Sequence, residues 1–458
     1  MAKSVELFKA SAERPDGGKA LRRFRRAQVV VFSLVLAGVS VFALIMPLRP
    51  SYSDTEKRKL TEFPSFSLSA LIDGTYTDAL SLWYSDTFPM RDVIMSFNAK
   101  LSSLYGFGDR ITKLNDIKGD DIPAPVKPED TTVAPSEPET TLPPTTAAPT
   151  EPVIPDADKS LAQDLGSVYV VGDTGYELYT FVQSAADSYV YAVSNIANVL
   201  SGQANVYCIL VPTSTDITMP ANIRAQVNSS DQRDAINYMY SVMSANVRSV
   251  GIFDTLRMHR DEYLYFRTDH HWTADGAYYA YSRFCETAGA VCADRMTAFT
   301  QYAYGDFLGS FYSETKKNPA FTNPDTVYAY SPNSNTSYEY IKTDGTRVQS
   351  KIVTDVTAWS QSYKYLTFIG GDEMFGKIIN YDIPDAPRCL VIKESFGNCF
   401  VPFLSANYSE VHIIDYRYWN GSISQYVAEN GITDVIFINN MSATRANVLM
   451  DALKQISY

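Results

Sequence analysis

The chain has 458 residues, 45% of them hydrophobic and 20% charged, a globular composition that excludes disorder over the whole length. The net charge of −12 is unevenly spread: residues 1–26 hold eight Lys/Arg against three Asp/Glu, a surplus of five that leaves −17 for the remainder. So acidic a body lacks the basic footprint of a nucleic-acid binder, and no nucleic-acid partner is expected.

From Ala27 to Leu48 no residue is charged, and a helix of about 20 apolar residues spans a bilayer core. Arg22, Arg23, Arg25 and Arg26 directly precede this run. The positive-inside rule therefore predicts a cytoplasmic tail at 1–26, a single-pass membrane helix at 27–48, and an extracellular main body at the cell membrane. The run is longer than a signal peptide's apolar region and no small-x-small cleavage site follows it, which argues for an uncleaved anchor. Residues 49–118 show helical spacing of apolar positions, and Trp83, Phe88 and Phe97 call for burial, so a helical part of the ectodomain is predicted there. Residues 119–158 read differently. Ten of the 23 prolines lie between Pro123 and Pro155 among repeated Thr pairs, a composition that buries no core and predicts an extended, disordered linker.

Residues 159–458 carry an α/β pattern. Val206–Pro212, Arg388–Ser395, Val411–Asp415 and Asp434–Ile438 are short, continuous apolar runs, as expected of strands buried on both faces. Helical stretches separate them, one of them opening at Thr273, a residue suited to capping it. The predicted architecture is a three-layer α/β/α fold with a mainly parallel sheet. Residues 296–365, rich in Tyr, Asn, Ser and Thr, read as an inserted, partly β region. The 32 tyrosines suit either polar, ring-shaped ligands such as sugars or half-buried sheet faces. Five cysteines show no metal-site spacing, and neither a metal nor a cofactor is expected. Cys285 and Cys292 could bridge in an oxidising compartment; isolated buried thiols are the other reading.

Two strings carry candidate chemistry. Phe266–Tyr281 holds two of the four histidines side by side. An Asp-x-His pair, Asp269 and His271, lets a carboxylate hold one imidazole nitrogen while the other faces a nucleophile, with His270 pointing elsewhere. Histidines that merely satisfy loop backbone, or a metal site, are the alternatives. In the second string, Ser395 follows an apolar strand, and Gly397 permits a tight turn. Reactive groups gather at the carboxyl ends of parallel strands, and the turn's N–H groups suit an oxyanion. A plain helix-capping serine is the competing reading.

The tetrapeptide Asp269-His270-His271-Trp272 and the Ser395 string resemble the DHHW protein family of Gram-positive bacteria. More broadly they resemble the SGNH-hydrolase-like domains of the alginate O-acetylation proteins, in which Asp-x-His-Trp precedes a strand-end Asp-Ser. The resemblance covers roughly residues 51–118 and 160–458 and implies one discontinuous domain interrupted by the linker. One departure is Glu394, which stands where that group carries Asp. The resemblance implies a triad of Ser395, His271 and Asp269, with an oxyanion held near the Phe396 N–H and by Asn398, whose other reading is a plain turn residue. Trp272, Arg417, Tyr418 and Trp419 are glycan contacts on this reading, and ordinary packing residues on the other. The implied activity is O-acyl transfer, with acetyl the expected group, to a cell-surface polysaccharide. A multi-spanning membrane protein that supplies the acyl donor is the implied partner. A glycan esterase or deacetylase, or a non-catalytic glycan-binding scaffold, remains the alternative.

Overall fold

Strands made of Val, Ile and Phe without polar interruption need cover on both faces, and that requirement layers this molecule. The structure, a computed structural model, describes residues 119–126 and 151–458 apart from 167, 316 and 322, with short stretches between 52 and 88. Two compact units are formed, residues 1–110 and 111–458.

In the first unit, β1 (Tyr52–Ser53) pairs antiparallel with β2 (Arg58–Lys59). Its aromatic residues meet edge-on within the unit, Phe63 with Trp83 at 4.7 Å and Tyr84 with Phe88 at 5.7 Å.

The second unit opens with a small antiparallel sheet of β3 (Ala162–Asp164), β4 (Tyr169–Val171) and β5 (Thr174–Tyr176). The remaining strands are β6 (Asn205–Val211), β7 (Val247–Ser249), β8 (Phe299–Phe307), β9 (Asp325–Pro332), β10 (Thr336–Ile341), β11 (Arg347–Ser350), β12 (Phe375–Asn380), β13 (Arg388–Lys393), β14 (Glu410–Asp415) and β15 (Asp434–Asn440). Eight of these form one mixed sheet in the order β11-β10-β12-β14-β13-β15-β6-β7. The block from β14 to β7 is parallel, while β12, β10 and β11 extend it antiparallel.

The central strands alternate between two cores. Tyr207, Ile209, Val391 and Ile436 face one, packed with the helix Ala274–Ala288 and the β8–β9 hairpin. Val206, Cys208, Leu390 and Phe437 face the other, beneath the helices Gln183–Val199, Gln232–Val242, Ile423–Asn430 and Asn447–Ile456. Side chains of period two are thus buried on both faces, which is the physical content of the three-layer expectation. Thr273 does cap its helix, its hydroxyl accepting the Gly276 N–H at 3.3 Å.

The region 296–365 is corrected in part. Its first half is the β8–β9 hairpin, but its second half supplies β10 and β11, the antiparallel edge of the main sheet. Tyr and Thr suit a half-buried edge strand, so the composition that suggested an insertion is that of a sheet margin. The flanks of the predicted linker are also tied down. Asp120 N–H donates to the Phe181 carbonyl at 2.9 Å, and Arg260 pairs with Glu151 at 2.7 Å. The tail 1–26, the predicted membrane helix 27–48, Phe97 and residues 127–150 lie outside the described residues. Among the described residues no helix is long and apolar enough to cross a membrane.

Candidate active site

The carboxyl ends of β6, β13, β14 and β15 point the same way in the parallel block, where open α/β sheets collect their reactive groups. Ser395 follows β13 as the first residue of a 3-10 turn, Ser395–Cys399. Gly397 is required inside that turn, because a Cβ there would lie 2.6 Å from Lys393 Cβ.

The Asp-x-His loop arrives from the layer above and is pinned by Asp325. This buried carboxylate accepts the N–H groups of Arg267 and Thr268 at 3.0 and 2.8 Å and the Thr268 hydroxyl at 2.7 Å. His271 Nδ1 then lies 2.6 Å from Asp269 Oδ1, and His271 Nε2 lies 2.7 Å from Ser395 Oγ. Residues 124 positions apart are in direct hydrogen-bond contact. The second Asp269 oxygen accepts the Ser310 N–H at 2.7 Å. On one face His271 stacks against Tyr365, with centroids 4.0 Å apart; on the other it lies 3.9 Å from His270. Tyr365 also donates its hydroxyl to the Ser395 carbonyl at 2.9 Å.

Electrostatics suit a base beside a carboxylate. Burial by itself raises the Asp269 carboxyl, but the two imidazoles and the hydrogen bonds from His271 and Ser310 hold it well below the usual carboxylate range. Burial pushes His271 below its ordinary value; His270 adds to that and Asp269 opposes it. Cys399, near the nucleophile turn, has its thiol pushed up to about 12 by burial, which leaves it protonated and inert. Asp269, His270 and His271 offer donor atoms within 4.8 Å of one another, the spacing of a cation site. The Nδ1 atoms of both histidines are instead engaged by Asp269 and the Ser310 hydroxyl. All five cysteines are free, Cys285 and Cys292 included.

Ser395 opens onto a cavity of about 540 Å³ also lined by His270, Glu394, Arg417, Asn440 and Arg445. Of the expected glycan contacts, Arg417 reaches it, with its guanidinium held by Asp415 at 2.6 Å and Asp372 at 2.8 Å. Trp272 does not: it is fully buried, and its indole N–H donates to the Phe396 carbonyl at 2.8 Å, stapling the histidine loop to the nucleophile turn. Trp419 packs edge-on against Tyr426 at 5.9 Å, next to the core on the opposite face. Tyr418 lies under the Arg417 guanidinium, 5.4 Å from it, and is absent from the cavity wall.

The oxyanion expectation is also corrected. Glu394 Oε2 accepts the Phe396 N–H at 3.1 Å, and Glu394 Oε1 accepts the Asn440 N–H at 2.8 Å. Asn398 turns its amide to Asp372 at 2.9 Å. The Phe396 N–H and one N–H of the Asn398 amide are therefore engaged inside the protein. Sequence reasoning missed Ser310, Asp325, Tyr365 and Asp372. A single signal, the short Gly309-Ser310 turn between hairpin and helix, stood in the sequence without a pattern to mark it.

Fold and site together define a mixed α/β protein with a hydrogen-bonded Asp–His–Ser array at the carboxyl end of its sheet. The DHHW protein family model matches residues 56–132 and 146–414, and the chain belongs to that family. No curated protein sequence matches it. Among solved structures, it is similar to a DHHW family protein from Eubacterium siraeum, with 27% identity over 66% of this chain and 98% of that one, at a TM-score of 0.59. It shares a fold with PatB1 from Bacillus cereus, at 21% identity over 63% of this chain and 98% of the other, TM-score 0.51. A second PatB1 structure, with a sulfonyl adduct, matches at 20% identity over 62% and 97%, TM-score 0.50.

Proposed function

We propose that this protein is an extracytoplasmic O-acyltransferase on an SGNH-like fold, moving an acyl group, acetyl by preference, onto a cell-envelope polysaccharide. The observation that carries the reading is the Ser395–His271–Asp269 array, with contacts of 2.7 and 2.6 Å at the wall of a cavity. Further support comes from the order of the motif, Asp-x-His before Ser, shared with the alginate O-acetylation proteins. The protein sits in the membrane through residues 27–48 with its main domain outside, and a multi-spanning membrane partner supplies the donor.

His271 Nε2 takes the Ser395 hydroxyl proton as Oγ attacks the acyl carbonyl carbon. Asp269 keeps Nδ1–H in place and stabilises the imidazolium. The same proton then passes to the departing oxygen of the donor, leaving an ester on Ser395. A sugar hydroxyl next gives its proton to His271 and attacks that ester; as the intermediate collapses, His271 returns the proton to Ser395 Oγ, which leaves as the free hydroxyl. Water in place of the sugar makes the same site an esterase.

Release of p-nitrophenol from p-nitrophenyl acetate by the purified protein is the first check. Turnover is expected in the wild type and is expected to vanish in Ser395→Ala and His271→Ala with circular dichroism unchanged. Equal rates in all three would move the site to a binding role. Adding glycan fragments and measuring acetyl on sugar against free acetate then separates transfer from hydrolysis. The pH profile adds a signed expectation. A His271 pKa below the ordinary value keeps the ring neutral, and so basic, below about pH 6.5. Thus kcat/KM is expected to rise with pH and inflect on the acid side of 6.5; an inflection above it would contradict the buried-base assignment.

A further inference from the structure

We infer that His270 is a second catalytic residue, whose Nε2–H joins the Ser395 main-chain N–H in binding the acyl carbonyl oxygen as negative charge develops there. The inference rests on the triad reading above and deepens it.

Acyl transfer needs donors aimed at the place where the oxyanion forms. In the turn after Ser395 several donors are already engaged. Phe396 N–H goes to Glu394 Oε2 at 3.1 Å, Gly397 N–H to the Glu394 carbonyl at 2.9 Å, and the Asn398 amide to Asp372 at 2.9 Å. On this inference the main-chain donor is the Ser395 N–H, at the first position of the turn. One main-chain donor is half of an oxyanion site.

On the same inference the other half comes from His270. Its ring lies 3.9 Å from that of His271, which itself meets Ser395 Oγ, and His270 and Ser395 line the same cavity. Its Nδ1 lies 2.6 Å from Ser310 Oγ, and the same oxygen accepts the His270 main-chain N–H at 3.2 Å. The inferred tautomer is the one in which the Ser310 hydroxyl donates to His270 Nδ1. The ring proton then sits on Nε2, which has no partner among the described residues and belongs to a side chain in the cavity wall.

The role asks for a neutral donor. An imidazolium at 3.9 Å would oppose the proton His271 must take up, whereas a neutral Nε2–H stabilises the oxyanion without adding charge beside the base. One turn sets both rings. Ser310 holds Asp269 through its N–H and His270 through its hydroxyl, so base and donor are fixed in a common frame.

The test compares wild type, His270→Ala, His270→Gln and Ser395→Ala as full-length proteins. The readouts are p-nitrophenyl acetate turnover and the rate at which phenylmethanesulfonyl fluoride labels Ser395. His270→Ala is expected to lower kcat by about 10²–10³-fold with KM little changed. His270→Gln, which keeps an N–H donor, is expected to recover at least about tenfold of that loss. Thermal unfolding confirms that each variant is folded, and the Gln variant decides if the Ala variant is not. His270→Ala within threefold of wild type, or a folded Gln variant no better than Ala, would overturn the inference. If Ser395→Ala is inactive while His270→Ala is normal, only His270 loses its role. A wild type with neither turnover nor labelling, or an undiminished Ser395→Ala, overturns the triad and this inference together.

Discussion

Asp269→Asn is expected to lower kcat by about 10⁴-fold, the order seen when such a carboxylate is replaced in a Ser-His-Asp site. The reason lies in the number of donors that meet it. Oδ1 faces the His271 Nδ1 at 2.6 Å and the His271 N–H at 2.9 Å, and Oδ2 faces the Ser310 N–H at 2.7 Å. An asparagine has one oxygen for these two sides. With that oxygen toward His271, its NH₂ confronts the Ser310 N–H and the turn carrying Ser310 must move. Reversed, the NH₂ meets Nδ1 and forces the imidazole proton onto Nε2, which can then no longer accept the serine proton. Either arrangement disables the base while the core stays packed. Steady-state turnover beside a thermal melt reads both, and a loss under about tenfold would remove Asp269 from the mechanism.

Gly309→Ala is expected to be damaging from outside the triad, though less so than loss of the carboxylate. The Gly309 backbone, at φ −88° and ψ −150°, is open to alanine, so no conformational strain is involved. The obstacle is space. An added Cβ would lie 2.2 Å from Asp269 Oδ2 and 2.3 Å from Asp269 Cβ, well inside contact distance. Asp269 must shift, and with it the His271 partner and the Ser310 hydrogen bond. A loss of about 10²-fold in kcat is expected from misplacement of this size, with about 1–3 kcal/mol of destabilisation from overpacking. Gly251→Ala is the matched control, since nothing lies within 4 Å of its added Cβ. Turnover and a denaturant midpoint measured on both variants check this; equal behaviour of the two would mean that the close approach is not needed.

The sequence showed the chemistry-bearing residues better than it showed their surroundings. Asp269, His271 and Ser395 were legible because their residue types and spacing are constrained by what they touch, and the structure brings them together. The central strands were legible for a related reason: a run such as Val206–Val211, buried on both faces, has no polar position to hide it. The partners of main-chain groups were not legible. Phe396 N–H reads as a free donor in a turn until the reach of Glu394 is drawn in three dimensions. Trp272 beside a reactive histidine suits a sugar contact equally well, and only the carbonyl of Phe396 at 2.8 Å settles that it is a staple. Ser310, Asp325 and Tyr365 sit in a stretch whose composition signals a sheet edge, and a composition carries no information about which hydroxyl or carboxylate turns inward. His270 was set aside as pointing elsewhere, although one serine hydroxyl aims it at the same cavity.

The distances along the chain between these partners have a kinetic meaning. Asp269 meets Ser310 across 41 residues, and His271 meets Ser395 across 124. Contacts of such separation close late, after the loop entropy between them has been spent. No local fragment, helix or hairpin of this chain can assemble nucleophile, base and carboxylate. On the proposed function, a newly made or partly opened molecule is therefore silent toward esters, and reactivity waits until the mixed sheet and the layer carrying the histidine loop have locked together.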